Sequence, residues 1–97
     1  MKKLPNQIYV AGHQYEIRMM PKEWRSDTGN RGICDCNELI IRLSEGMPKS
    51  RLEETAIHEI LHAVAHEYNV PVGGNEEDVV TQFATGLYQA GFRVPRG

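Results

Sequence analysis

Thr55-Ala56-Ile57-His58-Glu59-Ile60-Leu61-His62-Ala63-Val64 is the stretch on which the reading of this chain turns. Two histidines four residues apart stand on one face of an α-helix, about one turn from each other. Both imidazoles can then reach one tetrahedral Zn²⁺ at roughly 2.0–2.1 Å. Glu59, beside the first of them, is placed to take a proton from a water on that metal. Residues 51–68 extend the stretch into one amphipathic pattern without Gly or Pro. Ser50 followed three residues on by Glu53 predicts a capping box at its start, with Glu54 also in the first turn. Ile57, Leu61 and Val64 keep helical spacing, and the small Ala63 and Ala65 allow close packing. Asn69-Val70-Pro71 ends the helix, because the residue before proline is pushed out of the α region.

A zinc ion that keeps one position open for water needs a third protein ligand. His66 continues the histidine stripe, but three ligands along one straight helix would span about 12 Å, too far for one ion. His66 is therefore expected at the rim of the site. The remaining source is Glu76-Glu77-Asp78, which opens a second helix over about 75–90 with Asn75 as N-cap. A short connection, residues 69–74, should return this helix antiparallel to the first. Its apolar face is read as Val80, Phe83, Ala84, Leu87 and Gly91. Glu76 lies four before Val80 and seven before Phe83; Glu77 lies three before Val80 and seven before Ala84. Both acids can therefore face inward, while the rest of the cluster compensates the helix dipole.

The first half reads as β structure. Gln7 to Val10 and Gln14 to Met19 flank the turn Ala11-Gly12-His13, with His13 expected in solvent. Gly32 to Cys36 and Glu38 to Leu43 form a second pair around Asp35-Cys36-Asn37. Between the pairs, residues 21–31 are polar, with Ser26-Asp27-Thr28-Gly29-Asn30 as loop and Trp24 against the sheet. The expected fold is α+β: one small, mainly antiparallel sheet followed by two antiparallel helices carrying the metal site, in a single domain over residues 1–97. Cys34 and Cys36, two apart on a strand, share a face but are awkwardly placed for an ordinary bridge. They are read as small thiols of the core or sheet edge.

A net charge of −2 gives no electrostatic case for binding nucleic acid or an anionic membrane. Lys2-Lys3, Arg93 and Arg96 are too sparse to form a basic tract. No apolar run approaches the roughly 20 residues that span a bilayer, and the N-terminus lacks a signal-peptide h-region. The expected location is the cytoplasm of the cell that makes the chain. No pattern specifies an oligomeric state.

Residues 55–64, with the strand at Gly32 before them and Glu77-Asp78-Val79-Val80 and Gly86-Leu87-Tyr88 after them, carry a resemblance. The chain resembles the very small phage-encoded metallopeptidases of the gluzincin type and, more distantly, is similar to metallopeptidase domains that cleave phage repressors. The resemblance covers roughly residues 32–90. It implies zinc held by His58, His62 and a downstream glutamate, with Glu59 as general base. In the small phage proteins an E-x-x-V pattern precedes an apolar stretch ending in Gly-Leu; Glu77, Val80 and Gly86-Leu87 match it. That match selects Glu77 over Glu76 as the third ligand. Thermolysin-like gluzincins carry a further acid four residues after their ligand glutamate, where this chain has Thr81. Groups that those enzymes take from a larger C-terminal domain to polarise the scissile carbonyl have no evident counterpart here.

The function expected from these residues is zinc-dependent hydrolysis of peptide bonds in an intracellular protein, in the host cytoplasm if the chain is phage-encoded. An extended peptide substrate would add to the sheet edge, at Ile33–Cys36 or Leu39–Leu43. Tyr68 and Tyr88 are candidate oxyanion donors, and Glu54, one turn before His58, is a candidate to fix its tautomer. The alternatives are a zinc-bound regulatory or interaction module with little activity, and a helical protein without metal.

Overall fold

The computed structural model describes residues 4–95; Lys2, Lys3 and Arg96 lie outside them. The chain forms β1 (Gln7–Val10), β2 (His13–Met20), α1 (Lys22–Thr28), β3 (Gly32–Asp35), β4 (Ile40–Ser44), α2 (Lys49–Glu67) and α3 (Glu76–Gln89). One four-stranded sheet has the order β1-β2-β4-β3. Ala11 and Gly12, both at positive φ (53° and 82°), make the two-residue turn of the β1–β2 hairpin. The β3–β4 pair is antiparallel, whereas β2 and β4 run parallel, with Ile17 opposite Ile41 and Met19 opposite Leu43. The sheet is thus mixed and mostly antiparallel.

Alternation along β2 and β4 decides which face is covered. Tyr15, Ile17, Ile41 and Leu43 are buried on one side. Glu16, exposed, lies on the other, where it holds Arg18 through two bonds of 2.8 and 3.1 Å. Against the apolar face packs α2, which buries Ala56, Ile57 and Ala63 at helical spacing. In turn α3 packs on α2 and contributes Val80 and Ala84 to the interior.

Several local expectations need correction. Residues 22–28, read as polar loop, form α1. Pro21 precedes it with φ −54° and Gly29 closes it at φ 75°, its N–H donating to the Arg25 carbonyl. Polarity concealed this helix, which buries no residue of its own. The Ser50 capping box does not form. Instead Pro48 (φ −54°, ψ 150°) occupies the N-cap, Ser50 lies inside the helix, and Glu53 is buried. Phe83 points outward and is 63% exposed, so it does not belong to the apolar face of α3.

The end of α2 and the start of α3 are built as their sequences indicate. Asn69 at φ 51° follows the Tyr68 C-cap; its N–H donates to the His66 carbonyl and that of Val70 to Ala65, a Schellman motif. At the start of α3 the Asn75 side chain accepts from the amides of Glu77 and Asp78.

Gly32 on β3 determines how closely sheet and α2 approach. A Cβ at this position would stand 2.9 Å from Thr55 Cγ2 and 3.1 Å from both Glu59 Cγ and Leu43 Cδ2. Gly32→Ala is therefore expected to push α2 off the edge strand and cost about 1–3 kcal/mol, the usual range for overpacking. Chemical denaturation checks this; an unchanged midpoint and slope would refute the close packing.

Candidate metal centre

His58 and His62 project from successive turns of α2, and Glu77 projects from the first turn of α3. Their ligand atoms all lie within 4.8 Å of one another. Glu77 Oε1 is 2.8 Å from His58 Nε2, and Glu77 Oε2 is 2.8 Å from His62 Nε2. The two Nε2 atoms are 3.2 Å apart. Tetrahedral zinc at 2.0–2.1 Å from each nitrogen would set such donors about 3.3 Å apart. The spacing of the imidazoles and the mix of two nitrogens with a carboxylate therefore fit a divalent ion of this kind. The group lies open on one side: the imidazoles are 18% exposed, the Glu77 side chain 61%.

Glu76 stands apart from this trio and faces the back of one imidazole. Its Oε2 is 2.8 Å from His62 Nδ1, so in the metal-binding tautomer His62 donates Nδ1–H to Glu76 and keeps Nε2 free for a metal. Burial disfavours protonated His62, but Glu76 and Glu77 outweigh it and raise its pKa above the ordinary value. The two acids thus take different positions: Glu77 faces both Nε2 atoms, and Glu76 faces the opposite nitrogen of the His62 ring. Glu76→Ala is expected to weaken zinc binding 10–100-fold while leaving one site per chain. Competition against a chromophoric chelator measures it, and an unaltered affinity would remove the orienting role.

Glu59 points the other way around α2, toward the edge strand. It is 7% exposed, and its carboxylate accepts the Cys34 backbone N–H. Burial, reinforced by the Glu77 carboxylate, pushes its pKa up to about 7, against the opposing influence of His62 and the Cys34 amide. A carboxyl poised near neutrality is suited to accept a proton and return it.

A cleft of about 680 Å³ opens beside the trio, lined by Ile33, Cys34, Cys36, His66 and Val70 as well as the site residues. A second arm of about 380 Å³ continues past His58 and Glu77 toward Arg31, Arg51 and Thr81. His66, as expected, sits exposed on the rim. The terminal strand beside the cleft is β3. Since Ser44 N–H donates to the Arg31 carbonyl (2.9 Å), the alternation of an antiparallel pair turns Gly32 and Cys34 toward the open edge. Of the two strands considered, β3 is thus the edge, and β4 is interior.

Other candidates fall elsewhere. Tyr68, 62% exposed, lines an apolar groove with Ile8, Tyr9, Ile60 and Val64. Tyr88 packs at the margin of the core beneath the Arg93 guanidinium, 3.9 Å from its ring centroid. Neither phenol lines the cleft. Glu54, considered as the partner of His58, accepts instead from Thr85 Oγ1 at 3.4 Å. Three contributors were not anticipated: Glu76 behind His62, the Cys34 amide on Glu59, and Gly32. Spacing turns Glu76 inward without revealing its partner, and Gly32 leaves a signal of its own, since a glycine within a strand marks close approach of another backbone or helix.

Comparison of the chain with family models, with curated proteins and with solved structures finds no match. The chain carries a His-His-Glu group able to hold a metal ion, on a four-stranded sheet with two packed helices. Among the described residues no helix is long and apolar enough to cross a membrane.

Proposed function

We propose that this chain is a zinc-dependent peptidase of the minimal gluzincin type, acting on a peptide or protein substrate in the cytoplasm. One observation carries the reading: the three donors converge within 4.8 Å beside a buried glutamate whose pKa lies near 7, in an open cleft. When bound, zinc would supply Lewis acidity toward the scissile carbonyl and make water a stronger acid. His58 Nε2, His62 Nε2 and Glu77 would hold it, with Glu76 setting the His62 tautomer.

The remaining chemistry belongs to Glu59 and the edge strand. The Cys34 N–H fixes one side of the Glu59 carboxylate. Its other oxygen then accepts the proton of the attacking water and returns it to the departing amine. An extended peptide can pair with the outward groups of Gly32 and the Cys34 carbonyl. Such pairing would leave the Cys34 amide on Glu59.

A zinc-bound interaction module of low activity is the second reading. It is favoured by Tyr68 and Tyr88, since both phenols lie outside the cleft and cannot assist an oxyanion there. Incubation with a cell lysate, followed by mass-spectrometric identification of new peptide termini, separates the two. New termini that are absent with the Glu59→Gln variant support the peptidase; identical termini with both proteins exclude it.

A further inference from the structure

Cys34 and Cys36 line the same cleft as His58 and Glu59, and their sulfurs are 3.5 Å apart. Two positions along a continuous strand would separate the Cα atoms by about 6.6–6.8 Å, the far limit for a disulfide. Here the two positions are not on one continuous strand, since β3 ends at Asp35 and Cys36 begins the turn. Asp35 Oδ1 accepts the Glu38 N–H at 3.0 Å, and Leu39 adopts φ 59°, so the turn curls back on the strand. The Cys36 thiol rests against the phenol of buried Tyr15, which is itself held by Glu67 Oε2 at 2.5 Å. Both cysteines are half-buried, free thiols reached from the cleft. Proteolysis by Glu59 makes no use of either sulfur.

We propose that Cys34 and Cys36 are an oxidation site for low-molecular-weight disulfides, closing to a reversible intrachain bridge that withdraws the Cys34 amide from Glu59. The reaction runs in two exchanges. The Cys36 thiolate attacks one sulfur of the small disulfide, forming a mixed disulfide and expelling a thiolate that takes up a proton. Cys34 then gives its proton to solvent and attacks the Cys36 sulfur, which releases the second small thiol. Two protein thiols are oxidised and one small disulfide is reduced to two thiols. Burial, reinforced by the neighbouring Cys36, pushes the Cys34 thiol up and so disfavours its thiolate as the first nucleophile.

Bridging requires the sulfurs to approach by about 1.5 Å from their present contact. Closing that gap by a shift of Cys34 on β3 would carry with it the amide that Glu59 holds. On the peptidase reading, oxidation thereby loosens the general base. The bridge itself does not depend on that reading.

The test uses the full chain equilibrated with glutathione disulfide, quenched in acid and weighed intact after alkylation. The expected product has lost two hydrogens, resists alkylation and reverts with a dithiol reductant. Cys34→Ser should stop at the mixed disulfide on Cys36. Amide exchange followed by NMR should show the Cys34 N–H exchanging at least tenfold faster in the bridged form than in the dithiol form. Glutathione adducts without a bridge in the unmodified chain would overturn the oxidation site. A bridge that leaves Cys34 exchange unchanged would overturn its link to Glu59. Both readouts stand even if the chain cleaves no peptide.

Discussion

Glu59→Gln is expected to lower peptide turnover by about 10²–10⁴-fold, the range a positioned general base supplies, while leaving one zinc bound per chain. The amide is nearly isosteric and can still accept the Cys34 N–H, so the fold should persist. A second consequence appears in the metal-free protein. Glu59 moves from its usual 4.5 to about 7 on folding, chiefly through burial. Below pH 4.5 the group is protonated in both states and folding carries no penalty from it. Between 4.5 and about 7 the unfolded chain releases this proton while the folded chain keeps it, so stability falls as pH rises. The full loss is roughly 3 kcal/mol as an upper bound. The raised His62 acts in the same direction, since its contribution is present below its unfolded pKa and fades as pH rises.

Glu59→Gln should flatten most of that slope and stabilise the metal-free protein near pH 8. Denaturant titrations between pH 4.5 and 8 measure both slopes. Parallel curves for the two proteins would contradict the raised carboxyl. Zinc should reverse the trend, because its binding requires deprotonated imidazoles and strengthens as pH rises.

Glu77→Gln is expected to weaken zinc binding by two to three decades. An even share of the roughly 10–16 kcal/mol of a four-ligand site gives about 2.5–4 kcal/mol per ligand. The contrast with Glu76 is the informative part, because both carboxylates touch His62 but at opposite ring nitrogens. Loss at Glu77 should therefore exceed loss at Glu76 by about tenfold or more in a chelator competition. The reverse order would assign the ligand to Glu76 and the orienting role to Glu77. Turnover should follow metal occupancy in both variants, with activity partly restored by excess zinc.

Different parts of this arrangement were legible to different degrees. The helix around His58 and His62 could be read directly, because its histidine spacing and apolar stripe share one period. The antiparallel pairs and the end of α2 at Asn69 were also readable from turn residues. The parallel pairing of β2 with β4 was not, since strand order depends on which edge the chain returns to after α1. The false capping box at Ser50 shows a stronger constraint prevailing: Pro48 supplies a preset φ two residues earlier. Phe83 misled the inward stripe of α3, whose buried positions are Val80 and Ala84.

At the site, residue types were readable but their partners were not. Spacing alone left Glu76 and Glu77 equivalent; only their placement across the α2–α3 contact separates their roles. The Cys34 contact to Glu59 is made by a backbone amide, which no residue type announces. The approach of the two sulfurs depends on β3 ending one residue earlier than its pattern suggested.

Metal content of the purified chain is the most direct test of the whole account. Elemental analysis after purification without chelators, repeated after adding zinc and removing the excess, should give close to one zinc per chain. His62→Ala should fall to near zero under the same treatment. A stoichiometry near zero in the unaltered chain that added zinc does not raise would contradict the metal centre and the hydrolysis built on it.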